Sequence, residues 1–187
     1  MIKFNASHII LDQCMSGFPD RVSPVMGGSG QGVKDNFTTR LFPDMTFGCN
    51  GTIVRVIVAV KNRRGPRQLY PKVQIWREDE TQTGIYCRQG ADIQIIEDNP
   101  MCLDDQRDGE IFRCTLNENF QISVQPGDIL GLELPPENFV EFDIYFKPGG
   151  ALNCIFEGKL NSTANISEAV CQSYDLPQIN LVVILGS

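Results

Sequence analysis

Between residues 52 and 61 the chain sets Ile53, Val54, Val56, Ile57, Val58 and Val60 around one interrupting charge, Arg55. β-branched side chains at this density favour extended backbone, because their restricted χ1 suits a pleated surface better than a helical turn. Apolar groups on both faces need cover on both faces, so the run predicts a central strand buried for most of its length. Other strands must flank it, and a second layer must lie over it.

Short alternating segments elsewhere are the candidates. In residues 71–77, Val73 and Ile75 point one way and Lys72, Gln74 and Trp76 the other, which predicts a half-buried strand with Trp76 on its polar face. Residues 84–88 and 92–96 predict two short strands, and an acidic loop at 104–109 leads into another at 110–116. Residues 120–124 and 129–134, joined by Gln125-Pro126-Gly127-Asp128, predict a hairpin-like unit that Pro135-Pro136 ends. Residues 139–146 alternate with Val140, Phe142, Ile144 and Phe146 inward, and strands at 152–156 and 179–185 follow. An opening strand is expected near residues 8–11, then a long Gly-rich loop at about 15–36. The 17 glycines and 11 prolines recur between apolar segments, and helical periodicity is nowhere sustained beyond a short turn near 167–171. The expected fold is a single all-β domain over residues 1–187, an antiparallel β-sandwich of jelly-roll type with nine or ten strands.

Seven cysteines, at positions 14, 49, 87, 102, 114, 154 and 171, are dispersed without any Cys-x-x-Cys pair, so they resemble a disulfide framework more than a zinc site. Spacing does not fix connectivity. The preferred pairs are Cys87–Cys102 and Cys154–Cys171, each closing a polar loop, with Cys14–Cys49 as the third and Cys114 left free. Five Asn-x-Ser/Thr triplets, at Asn5, Asn36, Asn50, Asn161 and Asn165, point the same way. With 12 asparagines and 17 serines and threonines in 187 residues, chance supplies roughly one such triplet. Both signals place the chain in the secretory pathway, at the cell surface or outside the cell. Asn161 and Asn165 lie four residues apart, so one glycan would hinder the other, whereas Asn36 is the least encumbered.

A formal net charge of −7 argues against a nucleic-acid-binding surface, and no apolar run approaches the ~20 residues of a membrane-spanning helix. The first residues, Ile2-Lys3-Phe4-Asn5-Ala6-Ser7, alternate and form no signal-peptide core, so a secreted chain would be a mature fragment or an excised ectodomain.

Catalytic patterns are weak. The cluster Gly28-Ser29-Gly30-Gln31-Gly32 fits neither a dinucleotide fingerprint nor a nucleophile elbow, and His8 is the only histidine available to activate a nucleophile. The chain is therefore expected to bind and not to catalyse. Asp104, Asp105 and Asp108 are candidate calcium ligands because crowded carboxylates suit a hard cation, although Arg107 lies among them. Arg63, Arg64 and Arg67 are candidates for contact with an acidic partner or sulfated glycan. Trp76, read as outward, is a candidate contact residue.

Residues 47–54 (Phe47-Gly48-Cys49-Asn50-Gly51-Thr52-Ile53-Val54), 124–131, 73–78 and 176–181 resemble parts of a β-sandwich ectodomain module found in large receptor-like membrane proteins of sponges. The resemblance implies an extracellular position near the front of a longer, membrane-anchored protein, and it brings no ligand and no catalytic residue. The expected role is a recognition or adhesion module that meets a protein or glycan at the cell surface. The alternatives are a carbohydrate-binding jelly roll and a matrix component linked through its unpaired cysteine.

Overall fold

The computed structural model describes residues 14–24, 36–62 and 69–185. Its strands form two sheets. The larger has the order β12 (Thr163–Asn165), β5 (Gln82–Gln94), β4 (Lys72–Asp79), β9 (Ile129–Leu134), β2 (Thr38–Phe47), β11 (Phe146–Glu157) and β13 (Val170–Pro177), with β1 (Met15–Ser16) also paired to β2. The smaller has the order β10 (Phe142–Ile144), β3 (Gly51–Asn62), β7 (Ile111–Leu116) and β6 (Cys102–Asp108), with β8 (Ile122–Val124) and β14 (Ile179–Leu185) also paired to β3. The ladders between these strands are antiparallel.

The β-branched run lies in β3, which pairs with β7, β8, β10 and β14. Val56, Val58, Phe112 and Leu181 from the smaller sheet enter one apolar cluster with Phe42, Ile75, Leu130 and Leu132 from the larger. This cluster is the filling of the sandwich. Each large side chain removed from water here contributes roughly 1.5–3 kcal/mol.

Several elements differ from expectation for physical reasons. The two short strands at 84–88 and 92–96 are one strand, β5, whose register against β4 shifts between Val73 and Ile75, where Gly90 adopts φ 63°. Residues 104–109 are not a loop. They lie mostly in β6, the edge strand of the smaller sheet, whose alternating charges protect an edge that would otherwise pair with another chain. Nor do residues 120–134 form a hairpin, because β8 joins β3 while β9 inserts between β4 and β2 in the other sheet. The segment 139–146 also changes sheets. β10 pairs with β3, Tyr145 N donates to Ala59 O (3.0 Å), and β11 begins at Phe146 in the larger sheet. The expected helical turn is a 3-10 turn at Ile166–Glu168, and β13 follows it. Strand β2 had no counterpart in the sequence reading. The expected strand at 8–11 and the glycine cluster at 27–32 lie outside the described residues.

Three disulfides staple this framework: Cys14–Cys49, Cys102–Cys114 and Cys154–Cys171. The expected Cys87–Cys102 pair is corrected. Cys87 lies in β5 of the larger sheet and Cys102 at the start of β6 in the smaller one, next to the strand that carries Cys114. Cys87 is the free cysteine, half-buried between Arg77 of β4 and Thr163 of β12.

Candidate binding surface

Alternation places Lys72, Gln74 and Trp76 on the face of β4 that points away from the sandwich filling, as expected. That face is nevertheless covered. After β11 the chain reaches β12 through residues 158–162. Thr39 Oγ1 donates to Gly158 O (3.0 Å), Leu160 N donates to Thr39 Oγ1 (3.3 Å), and Arg88 N donates to Ser162 O (2.8 Å). These contacts run from β2 to β5, with β9 and β4 between them, so the connection crosses the outer face. Beneath it Leu41, Trp76, Ile129, Phe156 and Ala164 form a second apolar cluster, with Tyr86, Leu160 and Ala169 packed around them. Trp76 is 0% exposed, and its Nε1 donates to Gln74 Oε1 (3.1 Å). It is a core residue, and the expected outward contact is corrected.

The same face carries a polar cluster beyond the tryptophan. Gln74 Nε2 donates to Asp92 Oδ2 (3.1 Å), Arg88 pairs with Asp92 (3.2 Å), and Lys72 Nζ lies 3.0 Å from the buried Glu133 carboxylate. At the other end of the larger sheet Arg77 grips Asp128 with two 2.8 Å bonds, Nε to Oδ1 and Nη2 to Oδ2. Asp128 Oδ2 also accepts from Gln125 N (3.0 Å), so the arginine holds the turn before β9. The bond to Asp128 holds the Arg77 pKa above its ordinary value, against the opposing effect of burial.

The three aspartates proposed for calcium do not converge. Asp104 and Asp108 share one face of β6, and Asp105 takes the other, where its Oδ2 accepts from Asn99 N (3.0 Å). Among the described residues no group of three or more His, Cys, Asp and Glu side chains is arranged to hold a metal ion. Beside β6 a depression of about 330 Å³ is lined by Glu97, Asp98, Asp105, Gln106, Arg107 and Phe112. Arg107 is already committed there. It bonds Glu97 (2.7 Å), Gly109 O (3.0 Å) and Asn62 Oδ1, and its guanidinium stands 4.9 Å from the centre of the Phe142 ring. Arg63, Arg64 and Arg67 lie outside the described residues.

Asn36, Asn50 and Asn161 are exposed, before β2, between β2 and β3, and in the crossing connection. Asn165 ends β12 half-buried, and its Oδ1 accepts from Ser167 N (3.1 Å) and Ser167 Oγ (2.7 Å), the hydroxyl of its own triplet. Asn5 lies outside the described residues. Among the described residues the Asn50 triplet alone reaches the outward face of the smaller sheet, where its Thr52 pairs with the exposed Ser123 and Ile184 at the start of β3.

Registers lay that face out in rows. Asn180, Ile57, Arg113 and Gln106 stand abreast across β14, β3, β7 and β6. Val182, Arg55, Thr115 and Asp104 form the row on one side, and Ala59, Ile111 and Asp108 the row on the other. From sequence Arg55 stood out only as the charge interrupting the β-branched run, and Arg113 was not singled out. The available signal was the alternation of Arg113 and Thr115 with Phe112 and Cys114.

Comparison with protein-family models, with curated proteins and with solved structures finds no match for this chain. No helix among the described residues is long and apolar enough to cross a membrane.

Proposed function

We propose that this chain is an extracellular, glycosylated recognition or adhesion module of a receptor-like surface protein. The observation that carries the proposal is the set of three disulfides in an all-β domain, since such bonds persist in oxidising compartments. The distribution of glycan acceptors supports a recognition role. Asn36, Asn161 and Asn165 lie at strand ends or on the larger-sheet side and Asn50 at the entry to β3, which leaves the rows of the smaller sheet around Arg55 and Arg113 free of acceptor asparagines for a macromolecular partner.

A carbohydrate-binding role loses its main support, because Trp76 is buried and offers no ring for a sugar to stack on. Attachment to a matrix through the unpaired cysteine falls to Cys87, which sits within a sheet between two paired strands.

Expression in a secretory eukaryotic host tests the address. Intact mass should fall after glycosidase treatment, with peptides containing Asn36, Asn50 and Asn161 converted to aspartate. Protein that loses no mass and offers all seven thiols to an alkylating reagent overturns the proposal.

A further inference from the structure

The outward face of the smaller sheet carries charges of both signs in separate columns. Asp104 and Asp108 project from edge strand β6, while Arg113 and Arg55 project from β7 and β3 behind it. Arg113 stands level with Gln106, midway between the two aspartates along the strand direction. Among the described residues no ion pair joins either arginine to a carboxylate or either aspartate to a cation. Arg55 spends one donor on Thr115 Oγ1 (3.0 Å), and among the described residues Asp104 accepts from Gln106 alone (3.0 Å). Ile57 and Val182, half-buried on the same face, supply an apolar patch beside the arginines.

A face with a positive column beside a negative one is self-complementary under a two-fold rotation, because each column then meets its opposite in the second copy. An acidic partner would be held by the arginines but repelled by Asp104 and Asp108, and a basic one would meet the reverse. We propose that this face is a homotypic contact, in which Arg55 and Arg113 of one copy meet Asp104 and Asp108 of another. The proposal deepens the adhesion role above and rests on it. Four strands about 4.8 Å apart and seven residues about 3.3 Å apart give a face roughly 19 by 23 Å, about 440 Å² per copy and below the ~800 Å² per partner of standard specific interfaces. The contact is therefore weak singly and effective when many copies are arrayed on apposed surfaces.

Analytical ultracentrifugation of the secreted glycoprotein, its glycan mass already measured, tests this over a concentration series at low and high salt. Wild-type protein should show a monomer–dimer equilibrium that weakens as salt rises. The reversed pair Arg55→Glu/Arg113→Glu should weaken self-association at least tenfold, and so should Asp104→Lys/Asp108→Lys. Mixing the two variants should restore a dimer, which also shows that both are folded. Glycan-bearing wild-type protein that stays monomeric at every concentration overturns the contact and leaves the extracellular assignment intact. Dimers that ignore both reversals, or a mixture that fails to restore association, overturn it equally.

Discussion

The indole of Trp76 lies against the backbone of Gly131 so closely that a β-carbon at residue 131 would sit 2.5 Å from both Cδ1 and Nε1. Leu41 Cδ2 would be 3.0 Å away on another side. Glycine is needed here for space and not for an unusual backbone angle, since φ at this residue lies outside the left-handed range.

Gly131→Ala should therefore destabilise the domain by about 1–3 kcal/mol, the usual cost of overpacking a filled core. Trp76 is the chain's single tryptophan, so its fluorescence reports the packing directly. Urea unfolding followed at that emission should show a lower midpoint with an unchanged slope. A midpoint equal to wild type would mean that the indole has room to move.

Arg77→Leu should cost about 3 kcal/mol or more, because it leaves the Asp128 carboxylate, 0% exposed, without its cation. The double variant Arg77→Leu/Asp128→Leu should recover part of this loss if the unpaired charge is the cause, and none if the turn itself needs Asp128. Thermal unfolding of the wild type and the two variants separates the two outcomes.

Non-reducing peptide mapping should recover Cys14 with Cys49, Cys102 with Cys114 and Cys154 with Cys171. A single thiol, Cys87, should take up alkylating reagent in the denatured protein. Replacing Cys102 and Cys114 together by serine should cost about 3 kcal/mol, as expected for closing a short loop. A Cys87–Cys102 peptide would overturn the assignment.

Tyr145 should titrate late. Burial, together with the bond its hydroxyl donates to Glu110 Oε1 (2.6 Å), pushes its pKa up to about 12. The unfolded phenol ionises near 10, so the stabilisation is complete below that pH and declines as pH rises through the folded value. Absorbance of phenolate in the wild type and in Tyr145→Phe checks this. The variant should lack the latest-titrating phenol, and an unchanged titration curve would count against the bond.

Legibility from sequence followed solvent exposure. Strands β3, β9 and β14 were readable because covered strands must be rich in apolar residues on one or both faces. Strand β6 was misread because Asp104, Gln106 and Asp108 face water and leave no apolar period to detect. Strand β2 was missed for the opposite reason, since Thr38, Thr39 and Arg40 are polar yet buried. Turn chemistry marked Gln125-Pro126-Gly127-Asp128 correctly as a turn. It carries no record of which sheet each arm joins, and that is decided by distant partners. Trp76 shows the same limit, for alternation assigns a face but not the later chain that returns to cover it. Cysteine spacing was silent on pairing, because Cys87 and Cys102 are neighbours in sequence and belong to different sheets.

The crossing connection that shelters Trp76 falls entirely within the loop closed by Cys154 and Cys171. A protease that nicks residues 158–162 would thus yield two pieces still joined by sulfur. The later piece would also keep its place in the larger sheet, because β13 pairs with β11 on either side of that bond. Extracellular cleavage at this site would leave a nicked domain in place and would not release it, and the cut would be visible only after reduction.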